Sequence, residues 1–407
     1  MDHRARLVIV GAGFAGASLV RNLPAALRRP GATLLIDRAE RHPFIPLVHE
    51  VVSGRVHPES LLSPLEPLCR GRCGFLRAEV EGVDLERRTL HTSDGRSIGY
   101  ETLVLTPGSV PAAPPGHLEG HVRTFWSLED ALWLRDELAR RWEDARRGGA
   151  VPPSVAIVGG GATGVELAAE VASLFSHLRR LVGRKPDPLP KVHLIEGEHR
   201  LLGWLSPYFH SVAVEELQRM GVEVRLGHFV DEADPEGVRA GGEKIPAPVK
   251  IWTAGVEASP LVRALPGEHD GMGRMRVSGN LTLPHHPEVY VLGDSALCEA
   301  PNHGTLPPTA SVAVQQGPYV ARDLGRRQRR IKRPPFRFFD RGYVVGLGPG
   351  NAVAEALGVR LRGPAAQALY RSILLYYMRS REGRLLTLSD WTLDPVLGRL
   401  GFSSSSA

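Results

Sequence analysis

Three cysteines, Cys69, Cys73 and Cys298, are all that this 407-residue chain carries. So few, and an odd number, exclude a disulfide framework and suit a reducing compartment. No uncharged apolar run approaches the roughly 20 residues that a spanning helix requires, so the chain is not expected to cross a membrane. Its start, Met1 to Arg6, carries Asp2, Arg4 and Arg6 and leads straight into Leu7-Val8-Ile9-Val10. The apolar core of a signal peptide is missing there, and the expectation is a protein that stays in the cytoplasm. A large charge of one sign is lacking too. The 50 basic and 44 acidic residues leave a net +6, too thin a surplus over so large a surface to imply nucleic acid. The 16 histidines form no metal-ligand spacing, and His285-His286 only precede Pro287, so no metal is expected.

What is present is length and repetition. A chain of this size, 43% hydrophobic, can bury two or three domains. Two segments share one plan. In the first, Leu7–Val10 reads as a strand feeding Gly11-Ala12-Gly13-Phe14-Ala15-Gly16, a helix runs to about Arg28, and Thr33–Ile36 ends in Asp37. In the second, Val155–Val158 feeds Gly159-Gly160-Gly161-Ala162-Thr163-Gly164, a longer helix follows, and Val192–Ile195 ends in Glu196. Each copy goes on through turns at Ser93-Asp94-Gly95 and Ala240-Gly241-Gly242. Each closes on an apolar strand, Leu103–Thr106 before Pro107-Gly108 and Val249–Thr253 before Ala254-Gly255. First to last glycine spans 97 residues in one copy and 96 in the other. Two dinucleotide-binding folds of the α/β, Rossmann-like kind are expected, with a mixed carboxy-terminal segment bearing amphipathic helices.

The residue types fit that chemistry. The first glycine makes the turn out of the strand, the second lets backbone N–H groups approach a pyrophosphate, and the third allows close helix–strand packing. The helix N-terminus then carries the phosphate charge. An acid ending the second strand accepts from ribose hydroxyls, the work assigned to Asp37 and Glu196. The acids follow their first glycines by 26 and 37 residues, and the longer interval is read as an insertion at Ser176–Pro190, rich in proline and basic residues. After Gly255 the chain returns to its first fold, as a flavin pocket demands. An extended segment at Arg274–Leu281 and a strand Val289–Leu292 lead to Gly293-Asp294, and Pro307-Pro308 open a helix Thr309–Leu324. Asp294 can accept from ribityl hydroxyls or serve only as a turn cap. The helix start at Thr309, Ala310 and Ser311 can direct its positive end at a flavin edge.

With these pieces placed, the chain resembles a type II NADH dehydrogenase, a single-subunit NADH:quinone oxidoreductase of the two-dinucleotide flavoprotein superfamily. The resemblance is carried by Phe44 to Val51, Gly159 to Glu166, Ile251 to Gly255, Val291 to Asp294 and Pro307 to Gln316, and spans residues 7 to about 395. It implies FAD contacts at Gly11, Gly13, Gly16, Asp37, Arg38, Pro46, Val80, Gly108, Asp294 and Ala310. It implies NADH contacts at Gly161, Thr163, Gly164, Glu166, Glu196 and Gly255. Glu166 and Gln315 are the implied catalytic residues, and Ser311, Gln315 and Gln316 the implied quinone contacts. Ser311 stands where the family usually has a first glutamine, and Pro107 removes a backbone donor from the closing loop. The implied division is FAD on 1–112 and 273–333, NAD(H) on 113–272, and membrane association or dimerisation on 334–407. The implied activity passes electrons from NADH through FAD to a membrane quinone without pumping protons, at the cytoplasmic face of the cell membrane.

Other readings stay open at this stage. Cys69 and Cys73 lack the position of a flavin-facing redox pair, and Cys298 reads as small-residue packing. A sulfide:quinone reductase would need at least two cysteines facing the flavin and would not need a complete second nucleotide fold, and reduction of a different acceptor is a further reading. Another is an NADH-sensing flavoprotein with slow turnover, whose NADH-bound state recruits a partner. The run Arg326 to Arg333 reads as a solvated helix end or a patch for anionic lipid. Beyond it a strand pair, Phe336–Phe339 with Tyr343–Leu347, and a helix from about Pro364 are expected. That helix has an apolar stripe at Ala366, Leu369, Tyr370, Ile373, Leu374 and Tyr377, with Gln367 off it. A second stretch from Leu385 carries Leu388, Trp391 and Leu397. Such helices suit a bilayer interface, a homodimer interface or a core, and the tail Ser403–Ala407 is expected to be disordered.

Overall fold

A computed structural model describes residues 3–148, 153–181, 189–301 and 303–400. The chain folds into two compact α/β units, one made of Met1–His42, Pro64–Val110 and Val256–Phe339, the other of Pro43–Ser63, Pro111–Gly255 and Asp340–Ala407. The tail Ser403–Ala407 and residues 182–188 of the expected insertion lie outside the described residues.

The first unit is built on a seven-stranded sheet. Its parallel part runs Gly74–Arg77, Thr33–Asp37, His3–Val10, Ser97–Leu105 and Val289–Val291, with Leu7 beside both Thr33 and Thr102, and Val291 beside Leu105. Strands buried on both faces need continuous apolar runs, which Leu7–Val10 and Leu103–Leu105 supply, all at most 6% exposed. Against this sheet lie the helices Phe14–Arg21 and Ala310–Arg329. Their approach is close at Gly317, where a Cβ would sit 2.6 Å from Leu19 N. Pro318 lacks the N–H that would serve Val314 O one turn back, and the Ser18 hydroxyl donates to that carbonyl at 2.9 Å instead.

The second unit holds a five-stranded parallel sheet in the order Arg123–Thr124, Val249–Trp252, Val155–Val158, Val192–Glu196, Val222–Leu226. The helix Leu128–Arg146 opens with a capping box between Ser127 and Asp130. A three-stranded antiparallel sheet, Tyr343–Gly346, Ala352–Ala356 and Val359–Arg362, precedes the helices Pro364–Tyr377 and Arg381–Leu400. No helix among the described residues is long and apolar enough to cross a membrane.

Several sequence expectations need correction. The first loop helix ends at Arg21, not near Arg28, because Pro24 stops it and Ala25–Leu27 forms a separate 3-10 turn. Ser176 to Leu181 is helix, so the expected insertion begins later than its proline and basic content suggested. The helix opened at Thr309 runs to Arg329, through half of the basic run, and Arg333 turns back to pair at 2.5 Å with fully buried Asp323. Phe336–Phe339 is not a strand. Tyr343–Gly346 pairs with Ala352–Ala356, and the expected pair is a three-stranded meander. Gln367 is buried and Trp391 is only 4% exposed, facing inward.

Candidate functional site

Each unit carries its glycine loop on the first strand of its parallel sheet, and the two loops are held by the same bonds. In the first unit Ala12 N–H donates to Asp37 Oδ2 at 2.7 Å and Ala39 N–H to Oδ1 at 2.9 Å. In the second Gly160 N–H donates to Glu196 Oε2 at 2.6 Å and Glu198 N–H to Oε1 at 2.8 Å. Behind each loop a threonine of the closing strand locks the turn. Thr106 Oγ1 donates to Val10 O and Gly11 O at 2.9 and 2.7 Å, and Thr253 Oγ1 to Val158 O and Gly159 O at 3.0 and 3.1 Å.

The glycines divide by role. A Cβ on Gly11 would meet Thr106 O at 2.3 Å, on Gly16 it would meet Gly11 O at 2.1 Å, and on Gly164 it would meet Gly159 O at 1.9 Å. Those positions are closed by the fold itself. At Gly13 the nearest atom is 4.0 Å away, and at Gly161 nothing lies within 4 Å. The middle glycine in each unit therefore faces open space over a helix start, a cradle that a side chain would fill and that fits a pyrophosphate.

The other expected flavin residues of the first unit gather on the strand ends beside its loop. Gly108 has φ +77° with open space where a Cβ would go, and its carbonyl accepts from Ser259 N at 3.1 Å and from Ser295 Oγ. Asp294 lies in the turn Gly293–Ser295, accepting from Ser109 Oγ at 2.7 Å. Burial pushes its carboxyl above the usual range, against the lowering effect of that hydroxyl. Gln316 is fully buried and its Oε1 accepts from Gly293 N at 2.6 Å, so its observed work is to brace this turn. Ala310 is the first residue of the helix that Thr309 caps. Gln315 exchanges two hydrogen bonds with the backbone of Phe339, both at 3.0 Å. Arg38 is largely exposed, 3.9 Å from Glu79, and Val80 begins the strand Val80–Asp84. Pro46 belongs to the second unit, in the 3-10 turn Ile45–Leu47.

In the second unit Thr163 lies in the first turn of the helix Ala162–Leu181, and Gly255, at φ +96°, accepts through its carbonyl from Ala112 N at 3.1 Å. Glu166 stands at the mouth of a buried polar cluster that sequence reasoning missed. Its Oε1 accepts from Gly346 N at 3.0 Å, and its Oε2 lies 3.7 Å from His49 Nδ1. His49 Nε2 in turn is 3.1 Å from the Tyr370 hydroxyl. One helical turn on, Glu170 pairs with Arg55 and accepts from Ser53 Oγ. Arg55 also lies 3.6 Å from Glu50, which accepts from the Trp391 indole N–H at 2.7 Å. Burial drives the titrations. It raises Glu166 to about 8 and Glu170 to about 7, and lowers His49 to about 3, so His49 is neutral and no cation to Glu166. The Glu166 side chain is 14% exposed while those of Glu50 and Glu170 are 2%, which makes it the cluster's outlet. A signal existed: Glu166 and Glu170 are the acids of an otherwise apolar run, Val165 to Val171, on one helix face.

Two dinucleotide cradles, each with its strand-end acid, and a returning strand that completes only the first, define a two-nucleotide oxidoreductase. The chain belongs to the pyridine nucleotide-disulphide oxidoreductase family, which it matches over residues 5–317. It is 28% identical to a type II NADH:quinone oxidoreductase of Mycobacterium tuberculosis, over 98% of this chain and 90% of that protein. It is 27% identical to a demethylphylloquinone reductase of Synechocystis, over 97% of each. In fold it is similar to NDH2 from Plasmodium falciparum in complex with NADH, with a TM-score of 0.84 at 16% identity, over 99% of this chain and 100% of that one.

Proposed function

We propose that this protein is an FAD-dependent NADH:quinone oxidoreductase that does not pump protons. The observation that carries the reading is the duplicated open cradle, at Gly13 and at Gly161, within a chain that covers at least 90% of relatives named for NADH and quinone. FAD fits the first cradle, with the pyrophosphate at Gly11, Gly13 and Gly16, the ribose at Asp37, and the remaining contacts of that unit at Arg38, Val80, Gly108, Asp294 and Ala310. Held there, it would supply the exchange of hydride for electrons that no side chain of this chain provides. NADH fits the second, at Gly161, Thr163, Gly164, Glu196 and Gly255. Glu196 puts a carboxylate where a 2′-phosphate would have to sit. Arg200, which could offset that charge, instead donates to Gly203 O at 3.0 Å. NADH is therefore expected over NADPH.

Glu166, protonated at neutral pH, is a proton donor beside the nicotinamide cradle. A quinone takes up two electrons and two protons, whereas a hydride brings two electrons and one proton, so the second proton comes from solution, and an acid such as Glu166 can relay it and be reprotonated in each turnover. Ser311 and Gln315 are the proposed quinone contacts, with Gln316 behind them bracing the turn. The helix Arg381–Leu400 supports attachment to a membrane surface, because Leu385, Leu386, Leu388 and Leu393 are exposed on it, and the cytoplasmic face is the side we propose. A homodimer would cover the same leucines and is the other outcome of a sedimentation test with and without lipid vesicles. The sulfide reading is disfavoured, since Cys69, Cys73 and Cys298 are all buried in one apolar core and burial pushes the Cys298 thiol up to about 11, away from the nucleophilic thiolate.

The test is steady-state NADH oxidation by the FAD-loaded protein with and without a short-chain quinone. Quinone is expected to raise turnover at least about tenfold, a barrier change near 1.4 kcal/mol. Equal slow turnover in both would overturn the reading in favour of an NADH sensor.

A further inference from the structure

The acid cluster reaches past Glu166 to the carboxy-terminal helix. Two buried carboxyls, Glu50 and Glu170, share one guanidinium, Arg55, and a third, Glu166, lies one helical turn before Glu170. Removing several charges from water together is costly unless each is paired or hydrogen-bonded, so such a cluster keeps protons that solvated carboxylates would release. Each element around Glu166 adds its own group. The helix Val48–Val52 brings His49 and Glu50, the following loop Arg55, its own helix Glu170, the helix Pro364–Tyr377 the Tyr370 hydroxyl, and the strand Tyr343–Gly346 a backbone N–H. The final described helix, Arg381–Leu400, adds Trp391. Its indole donates to Glu50, Arg371 lies over its ring at 4.8 Å, and its neighbour Asp390 accepts from Ser60 Oγ at 2.8 Å and His57 N at 3.0 Å. Over residues 381–393 the helix faces inward through Gly383, Thr387 and Trp391, and the large side chain of these three meets a buried carboxylate.

We propose that Arg55, shared between Glu50 and Glu170, and the indole N–H of Trp391 together set how many protons this cluster holds. The carboxy-terminal helix is then a positioning element for the charge of Glu166 as well as an attachment segment. The inference rests on the reading of Glu166 as a proton donor. It deepens that reading by making Trp391 a positioning residue that acts through Glu50 and Arg55. The two ends of the network pull in opposite directions. Without the indole donor the ionised cluster is less well solvated and should retain protons to higher pH. Without the Glu50 charge, Arg55 serves Glu170 alone, a repulsive neighbour of Glu166 is gone, and protons should leave at lower pH.

The experiment is an infrared titration of the protonated-carboxyl band in the FAD-loaded protein, without NADH, quinone or lipid. Glu166→Gln is expected to remove part of the band. Trp391→Phe should move the midpoint up, and Glu50→Gln should move it down, each by at least about half a pH unit. If Trp391→Phe fails to fold, Glu50→Gln alone decides the matter. Midpoints unmoved in the folded variants overturn the proposal. The pH profile of turnover with a soluble quinone, measured alongside, separates the two claims. Absent quinone turnover with shifted midpoints ends the quinone reading and leaves the network standing. Normal turnover with unmoved midpoints does the reverse.

Discussion

The helices leaving the two glycine loops start alike and end in different chemistry. Two residues past the last glycine the first fold has Ser18 and the second Glu166, and six residues past it they have Asn22 and Glu170. Ser18 fills the hydrogen bond that Pro318 cannot make, and Asn22 returns its amide to Ser18 O at 2.8 Å on the surface. The first helix thus uses these positions to pack against its neighbour. The second uses the same positions for two buried carboxyls held above their usual range. The cradle is common to both folds, and what distinguishes them is the face of the helix behind it.

The largest expected effects break the cradles themselves. Gly16→Ala and Gly164→Ala place a Cβ about 2 Å from a backbone oxygen that cannot yield, and each is expected to cost about 1–3 kcal/mol or more in denaturant unfolding. Gly13→Ala and Gly161→Ala enter open space, so the nucleotide-free protein should change by less than about 0.5 kcal/mol. Binding should then separate: Gly13→Ala weakens FAD and spares NADH, while Gly161→Ala does the reverse. Any exchange of these two phenotypes breaks the assignment of nucleotide to fold. Next in size is Asp294→Ala, which touches the feature that only the first fold has, the returning strand. Loss of a charged acceptor is expected to cost about 1.5–3 kcal/mol in flavin affinity. A purified variant retaining full yellow colour would count against it.

The cradles could be read from the sequence because they rest on local rules: a glycine where a Cβ would strike Thr106 O, an acid at the end of the next strand, a fixed distance to the closing loop. Pro24 is equally local, but the apolar spacing runs on past it through Leu27 and so hides the end of the first helix. The acid cluster was hidden for a different reason. Glu50, Glu170, Tyr370 and Trp391 are spread over more than 300 residues, and no spacing rule joins them. Trp391 shows the limit clearly. An amphipathic pattern can place a tryptophan beside a leucine stripe, but whether that stripe or the indole faces inward depends on the partner, here the Glu50 carboxylate.

Glu166→Gln sharpens the comparison at its centre. The variant should keep its fold and FAD yet slow flavin reduction by NADH or turnover with quinone by at least roughly tenfold, near 1.4 kcal/mol. Its stability should also carry a signature. Glu166 titrates near 8 in the fold against 4.5 ordinarily, so its stabilising contribution is full below about pH 4.5 and is lost as pH rises toward 8. Glutamine does not titrate, so the variant should gain on the unmodified protein in melting temperature across that interval. Parallel melting curves would mean that Glu166 is an ordinary helix-end charge.

The smallest effect belongs to the matching position of the first fold. Ser18→Ala removes the hydroxyl that serves Val314 O and leaves that carbonyl, already deprived of a donor by Pro318, without its partner. A lost neutral hydrogen bond of this kind costs about 1 kcal/mol. Nothing titratable is involved, so the loss should be the same at pH 6 and pH 9, and both the rate of flavin reduction by NADH and its pH profile should stay as they were. Chemical denaturation at the two pH values, beside stopped-flow reduction, measures both. A pH-dependent loss, or a slowed reduction, would show that the first helix also carries charge control and that the two folds differ less than their side chains suggest.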